Sequence, residues 1–466
     1  MAPEPTTTAA RGGARRFARG LGLVAAAALV LRVAYILVLE RTDAFGGDAF
    51  YYHEMANLLA DGRGFVEPYL LELTGRALPS AYHPPLYPLL LAIVSVLSES
   101  VLAHQLASAG IGTATVVLVG LLGRRVGGDT AGLVAACVAA AYPGLWISDG
   151  LLMSETPAAF FVALVLLGAF AHLDRRTRAS AARLGVAVGL AILTRGEALL
   201  LVPMVVVPAC LVAGRPRAPE AGGGVETGRR SLGRRLGHAA VALGATGAVL
   251  APWVVRNLAV FEQAVLLSTN DGSTLAVANC DSTYAGPLLG YWDFACLEPR
   301  APLEESLAQE HWRDIGLGYA RDNLGRLPVV VAARVGRMWA LYRPGQMVDL
   351  DTLVEGRDRR LAIAGLAGFY ALVPLAAVGT VALRRRHVPV FPLLAPFALV
   401  TITAAVFYGI TRFRISAEVP LVVLGAVGAV SVARAARPAT PAPGSGACRG
   451  SHGGPARGAE YGRPPC

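Results

Sequence analysis

The 466-residue chain has no lysine: all 42 of its basic residues are arginine. Charge of either sign is scarce. Asp, Glu, Lys and Arg make up 16% of the chain, against about 25% in soluble proteins. With 54% hydrophobic residues, that shortage excludes an ordinary soluble enzyme and predicts a polytopic membrane protein. No basic patch is interleaved with aromatics, so nothing points to nucleic acid. Cysteine is sparse too, at six residues; no pair has CxxC spacing and no His/Cys cluster suggests zinc. The first apolar run lacks a small-residue cleavage site after it. It is also longer than the ~7–15 residues of a signal-peptide core, so it reads as an uncleaved anchor.

What is abundant is apolar sequence. Runs that suit membrane helices, about ten by length, cover 21–39, 102–122, 131–151, 157–173, 184–193, 199–212, 239–260, 361–383, 388–408 and 419–432. Arginine placement orients them. With the N-terminus inside, "RGGARRFARG", "GRR" at 123–125, "DRRTR", the stretch 214–236, "RRRH" at 384–387 and the tail all fall on the cytoplasmic side. This requires 184–212 to be a tight helix pair turning near "TRGEA". The domain reading is a disordered cytoplasmic segment at 1–20 and a membrane domain at 21–433. Within it lie a first outer loop at 40–100, a cytoplasmic linker at 214–236 and a second outer segment at 261–360. A disordered cytoplasmic tail follows at 434–466. Net charge of +10 fits arginines facing anionic lipid. Cys280 and Cys296 share the second outer segment, where a disulfide is chemically permitted, and are expected to pair.

The chemistry-bearing residues gather at the other face. In "GGDAFYYHEMANLLADGRGF" the spacing predicts an amphipathic helix over 49–60, with Tyr51, Met55, Leu58 and Leu59 on one side. Asp48 can cap that helix or act chemically; spacing alone leaves both open, and leaves His53 and Glu54 solvated. "AYHPPLYPLLLAI" starts a helix at Pro84-Pro85, with His83 at its positive end. "ISDGLLMSETP" places Asp149 and Glu155 at a turn between two spans. Arg195, Arg256, Arg412 and Arg414 lie at the same boundary, and arginine's fork of donors suits phosphate. Snorkelling would account for one or two of them. The implied substrate has a lipid part and a phosphate.

These motifs, with "LTRGEALLLVP", "APWVVRNL" and "TRFRISAEVP", resemble the protein O-mannosyltransferase and aminoarabinose-transferase-like superfamily. Its members are GT-C fold glycosyltransferases that use polyprenyl-phosphate sugars. The resemblance runs from about residue 21 to 433. It implies an all-α membrane bundle with juxtamembrane helices in the first outer loop. It also implies transfer from a polyprenyl-phosphate donor to a glycan, lipid or protein hydroxyl at the outer face, with inversion. Asp48 looks like the catalytic base of the first loop and Glu155 like the acid opening the fourth helix, where some relatives carry aspartate. His83 stands where some relatives have a donor-contacting lysine, and Arg412 and Arg414 match an arginine motif before the last helix. Tyr52, His53, Arg195 and Arg256 complete the expected binding set. This branch implies no metal cofactor, and the sequence offers no clear ligand set. The rival reading is a transporter or flippase of a lipid-linked sugar. The lack of an inverted repeat and of a charged pair within the spans weighs against it.

Overall fold

The computed structural model describes residues 7–40, 46–212, 228–297 and 301–436. The helices of the bundle are α1 (Thr7–Val38), α2 (Val101–Gly127), α3 (Asp129–Ala141), α4 (Glu155–Arg175), α5 (Arg178–Thr194), α6 (Gly196–Leu211), α7 (Gly228–Val260), α8 (Arg359–Arg385), α9 (Phe391–Val406) and α10 (Ile415–Ala435). Six of these, α1, α2, α4, α7, α8 and α10, are each long and apolar enough to cross a bilayer. The protein is an all-helical polytopic membrane protein. That architecture follows from the medium, because in hydrocarbon every backbone N–H and C=O must find its partner within its own segment.

Three sequence expectations are corrected. Residues 7–20, expected to be disordered, are already part of α1, since alanine and arginine are strong helix formers. The expected linker is helical from Gly228, and the expected tail from 434 is helical through Ala435. The remainder of both, 214–227 and 437–466, lies outside the described residues. Third, the run 131–151 is not one straight helix. α3 ends at Ala141 and the chain bends by 81° into the short turns of Pro143–Asp149. The cause is Pro143, which pushes Tyr142 into extended backbone (φ −80, ψ 110).

α5 and α6 form a hairpin. The chain is extended at Arg195, and Arg176 at the start of the pair donates to the Val212 carbonyl at its end, 2.6 Å away. Odd-numbered helices therefore finish, and even-numbered ones begin, at the same end of the bundle. That end carries a cleft, and the arginine-rich connections lie at the other. The first long loop packs against the cleft end through helix Gly47–Ala60 and helix Leu86–Ser95, which bury Tyr51, Tyr52, Met55, Tyr87 and Leu91 together. The second adds helices Asp271–Ala278 and Glu305–Asp322 and a disulfide between Cys280 and Cys296, with Cα atoms 6.2 Å apart.

α8 and α10 cross in backbone contact, which positions the residues that precede each of them. A Cβ on Gly379 would fall 1.9 Å from the Leu424 carbonyl, and one on Gly428 would fall 1.9 Å from that of Leu375. Small residues permit such crossings in membranes. Gly428→Val should lower the unfolding temperature in detergent by several degrees, consistent with the ~1–3 kcal/mol of typical overpacking. Gly110→Ala, where a Cβ meets open space, should not.

Candidate active site

A cavity of about 1280 Å³ opens where the first loop, the bend after α3, the α5–α6 turn and the segments before α8 and α10 meet. Its ionic centre is Arg412. The guanidinium donates from Nε to Glu155, from Nη1 to Glu355 and from Nη2 to Asp48, each at 2.7 Å. Arg195 also donates to Glu155 (3.0 Å) and to Glu197 (2.5 Å). The three acids on Arg412 come from three distant parts of the chain, so a single side chain fixes the loop, α4 and the α8 approach relative to one another.

Asp48 does not cap its helix. Gly46 is the capping residue and receives no side-chain bond, while Asp48 sits in the first turn and faces the cleft. His83 Nε2 lies 3.3 Å from its free oxygen, Oδ1. Asp48 is 30% exposed, whereas Glu155 is 1% exposed, so Asp48 is the acid an incoming molecule can reach. Burial works to raise its proton affinity. Arg412, and then His83, outweigh this and hold the carboxyl well below the usual range. Glu355 goes the other way: burial pushes its carboxyl up against the pull of Arg412 and Arg357. Glu155 Oε2 is buried with no hydrogen-bond partner, a position that invites a donor group.

Six of the sequence-expected residues come together here. Asp48 and Glu155 both meet Arg412. Arg195 closes on Glu155, and His83 on Asp48. Tyr52 packs its ring 4.8 Å from His83. Three others do not reach the cleft. His53 lies about 100° round the helix from Tyr52, so it faces inward, with Nδ1 2.9 Å from that of His104. Arg256 donates to the carbonyls of Ser80 and Phe65, inside a cage formed by Phe65, Trp253 and Phe261. Arg414 is two residues past Arg412 in a tight 3₁₀ turn, which aims it to the far side. There it pairs with Glu418 at 3.0 Å over the Phe369 ring. Glu355 and Arg357, which line the cleft, carry no motif signal beyond an acid and an arginine just ahead of an apolar run.

Among the described residues no three His, Cys, Asp or Glu side chains are grouped to hold a metal ion. One charge does lie within a span and is paired with an acid of the turn after α3. Arg32 of α1 bonds Asp149 at 2.7 Å, with both fully buried.

Residues 82–219 match the dolichyl-phosphate-mannose-protein mannosyltransferase family. The sequence has no significant match among curated proteins. In three dimensions the chain is similar to the oligosaccharyltransferase of Archaeoglobus fulgidus crystallised with zinc and sulfate. The TM-score is 0.51 at 16% identity, over 89% of this chain and 49% of that one. The same organism's AglB, in complex with an inhibitory peptide and a dolichol-phosphate, gives 0.50 at 14%, over 89% and 50%. The chain thus spans about half the length of these enzymes. ArnT from Cupriavidus metallidurans, bound to undecaprenyl phosphate, aligns at 0.41 and 18%, over 87% and 78%. The chain has the helical GT-C fold, and residues 82–219 are similar in sequence to the mannosyltransferase family.

Proposed function

We propose that the protein is a glycosyltransferase. It moves a sugar from a polyprenyl-phosphate donor to a hydroxyl acceptor at the extracytoplasmic face of the membrane, with inversion. The observation that carries this reading is the convergence of Asp48, Glu155 and Glu355 on Arg412, which lines the cleft at one end of the bundle. A lipid phosphate is already a good leaving group and needs charge balance more than a general acid; the acceptor hydroxyl needs a base.

The geometry suggests how one centre serves both needs. Before substrate enters, Arg412 neutralises Asp48 and makes it a poor base. A donor phosphate that recruits Nη2 of Arg412 displaces Asp48, whose proton affinity then rises as the acceptor arrives. Arg195 and Arg357 add positive charge around the departing phosphate, His83 adds a ring nitrogen beside Asp48, and Glu155 holds Arg412 and Arg195 in place. The acceptor oxygen attacks the anomeric carbon, its proton passes to Asp48, and the carbon–oxygen bond to the phosphate breaks.

Purified protein in nanodiscs, given a panel of polyprenyl-phosphate sugars and cell-envelope acceptors, should transfer labelled sugar. Asp48→Asn should lose about 10²-fold or more, the scale of general-base catalysis. An Asp48→Asn variant with near-normal turnover removes Asp48 from the mechanism, and vesicle uptake without transfer supports a transporter instead.

The pH dependence separates free enzyme from complex. A depressed carboxyl stays ionised until the pH falls below the usual carboxylate range, so kcat/KM should show no acidic limb from Asp48 between pH 5 and 8. If phosphate takes over Arg412, the acidic limb of kcat should sit at higher pH than that of kcat/KM. Coincident limbs would rule out the exchange.

A further inference from the structure

The cleft has a second wall that the transfer chemistry does not use. It is built by helix Asp271–Ala278 and the disulfide loop that follows it. Trp292 and Phe294 stand between the two bridged cysteines and line the cleft. Phe294 is 63% exposed, an apolar cost in a loop otherwise held tightly. The loop is anchored three ways: by the disulfide, by Ser282 donating to Asp293 (2.7 Å), and by the Asp293 N–H bonding the Val277 carbonyl (3.0 Å). The rings therefore keep their place before any ligand binds.

From there aromatic rings lead inward. Phe294 packs edge-on to Trp292 at 4.6 Å, Trp292 lies 6.4 Å from Tyr408, Tyr408 stacks on Phe413 at 5.1 Å, and Arg195 sits 5.9 Å from Phe413. Asn270, Ser273 and Thr274 line the same cleft, with the Ser273 and Thr274 hydroxyls donating to the Asn270 carbonyl.

We infer that this wall is a saccharide-binding platform and that the acceptor is a glycan. The inference rests on the glycosyltransferase reading for the word acceptor, but not for the binding itself. A sugar ring offers an apolar C–H face to an aromatic ring and hydroxyls at its edge, which is the pairing of groups found here. An isoprenoid chain has no polar atoms for the Asn270 amide to meet. The ring series ends beside Arg195, so a glycan seated on Phe294 and Trp292 would present its terminal hydroxyl toward Asp48.

The test uses full-length protein in detergent on two printed arrays. One carries mannan, arabinan, galactan and peptidoglycan-type oligosaccharides; the other carries serine- and threonine-rich peptides. The wild type should bind saccharide spots. Phe294→Ala and Trp292→Ala should weaken that binding at least tenfold, while Leu341→Ala, a still more exposed apolar site outside the cleft, should not. Phe294 is on the surface, so its variant should melt like wild type. No saccharide signal, a signal on peptides alone, or saccharide binding equal in both aromatic variants overturns the platform. So does a loss of polyprenyl phosphate binding in Phe294→Ala, which would make the wall a lipid groove. Saccharide binding without sugar transfer by the wild type would leave the platform standing and sink the transfer reading.

Discussion

Arg412→Gln is expected to abolish measurable transfer, a fall of 10³-fold or more, and to destabilise the protein as well. The guanidinium serves three carboxylates through three nitrogens in one plane, and two of them, Glu155 and Glu355, are buried. Removing it leaves like charges facing one another in a low-dielectric site. Breaking one buried pair typically costs ~3–5 kcal/mol, and here two buried pairs and a partly exposed one are broken at once. On the catalytic side, loss of a single charge-stabilising donor is worth about 10²–10³ in rate, and Arg412 also sets when Asp48 becomes a base. Lysine should not rescue, because a compact ammonium lacks arginine's rigid planar fork of donors. Any residual activity should show a shifted profile. Without the cation Asp48 regains proton affinity, so the acidic limb of kcat/KM moves up in pH. Arg414→Gln is the contrast: it should lower the melting temperature through Glu418 and Tyr142 while leaving donor affinity unchanged. An Arg412→Gln protein that folds and keeps a tenth or more of wild-type transfer would remove Arg412 from the transfer step.

How much of this was legible beforehand varies with the distance over which each feature is determined. The spans were legible because hydrocarbon dictates runs of apolar residues, and arginine placement required the α5–α6 turn near residue 195. The order of acids and arginines along the chain pointed to one face of the bundle. Which arginine of "TRFR" enters the cleft was not legible, since that depends on the tightness of a single turn. His53 and Arg256 were misplaced for a similar reason. Each is one residue away from a cleft-facing or water-facing alternative, and only the packing of α2 or of the first loop decides. Glu355 becomes part of the site through the approach of residues distant in sequence, which no local motif records. Arg32 was visible, a lone charge inside "LVLRVAYI", but averaging over a long apolar run conceals one residue.

Arg32 leads to the second large effect. Its Nε donates to Asp149 Oδ2 at 2.7 Å, and Thr156 donates to the other oxygen at 2.7 Å; Arg32 and Asp149 are 1% and 0% exposed. Arg32 lies six residues before the end of α1, so about 9 Å inside it at 1.5 Å per residue. Asp149 ends the bend after α3, and Thr156 is the residue after Glu155. The pair therefore ties α1 to the turn that aims Glu155 at Arg412. Arg32→Met should destabilise by ~3–5 kcal/mol, since it strands a buried carboxylate. Asp149→Leu should do the same to the cation, whereas the double substitution should recover most of the loss by replacing the pair with apolar volume. Gly112 reports on the same contact from α2, because a Cβ there would fall 2.0 Å from Asp149 Oδ2 and 2.9 Å from Arg32 Nε. Gly112→Ala should thus mimic Arg32→Met in melting temperature, and should lower transfer even though it touches no substrate, because Glu155 moves with its turn. Melting curves in detergent for the two singles, the double and Gly112→Ala decide the matter. If the singles add in the double, the charges are not coupled, and α1 is held to the α3–α4 turn by packing alone.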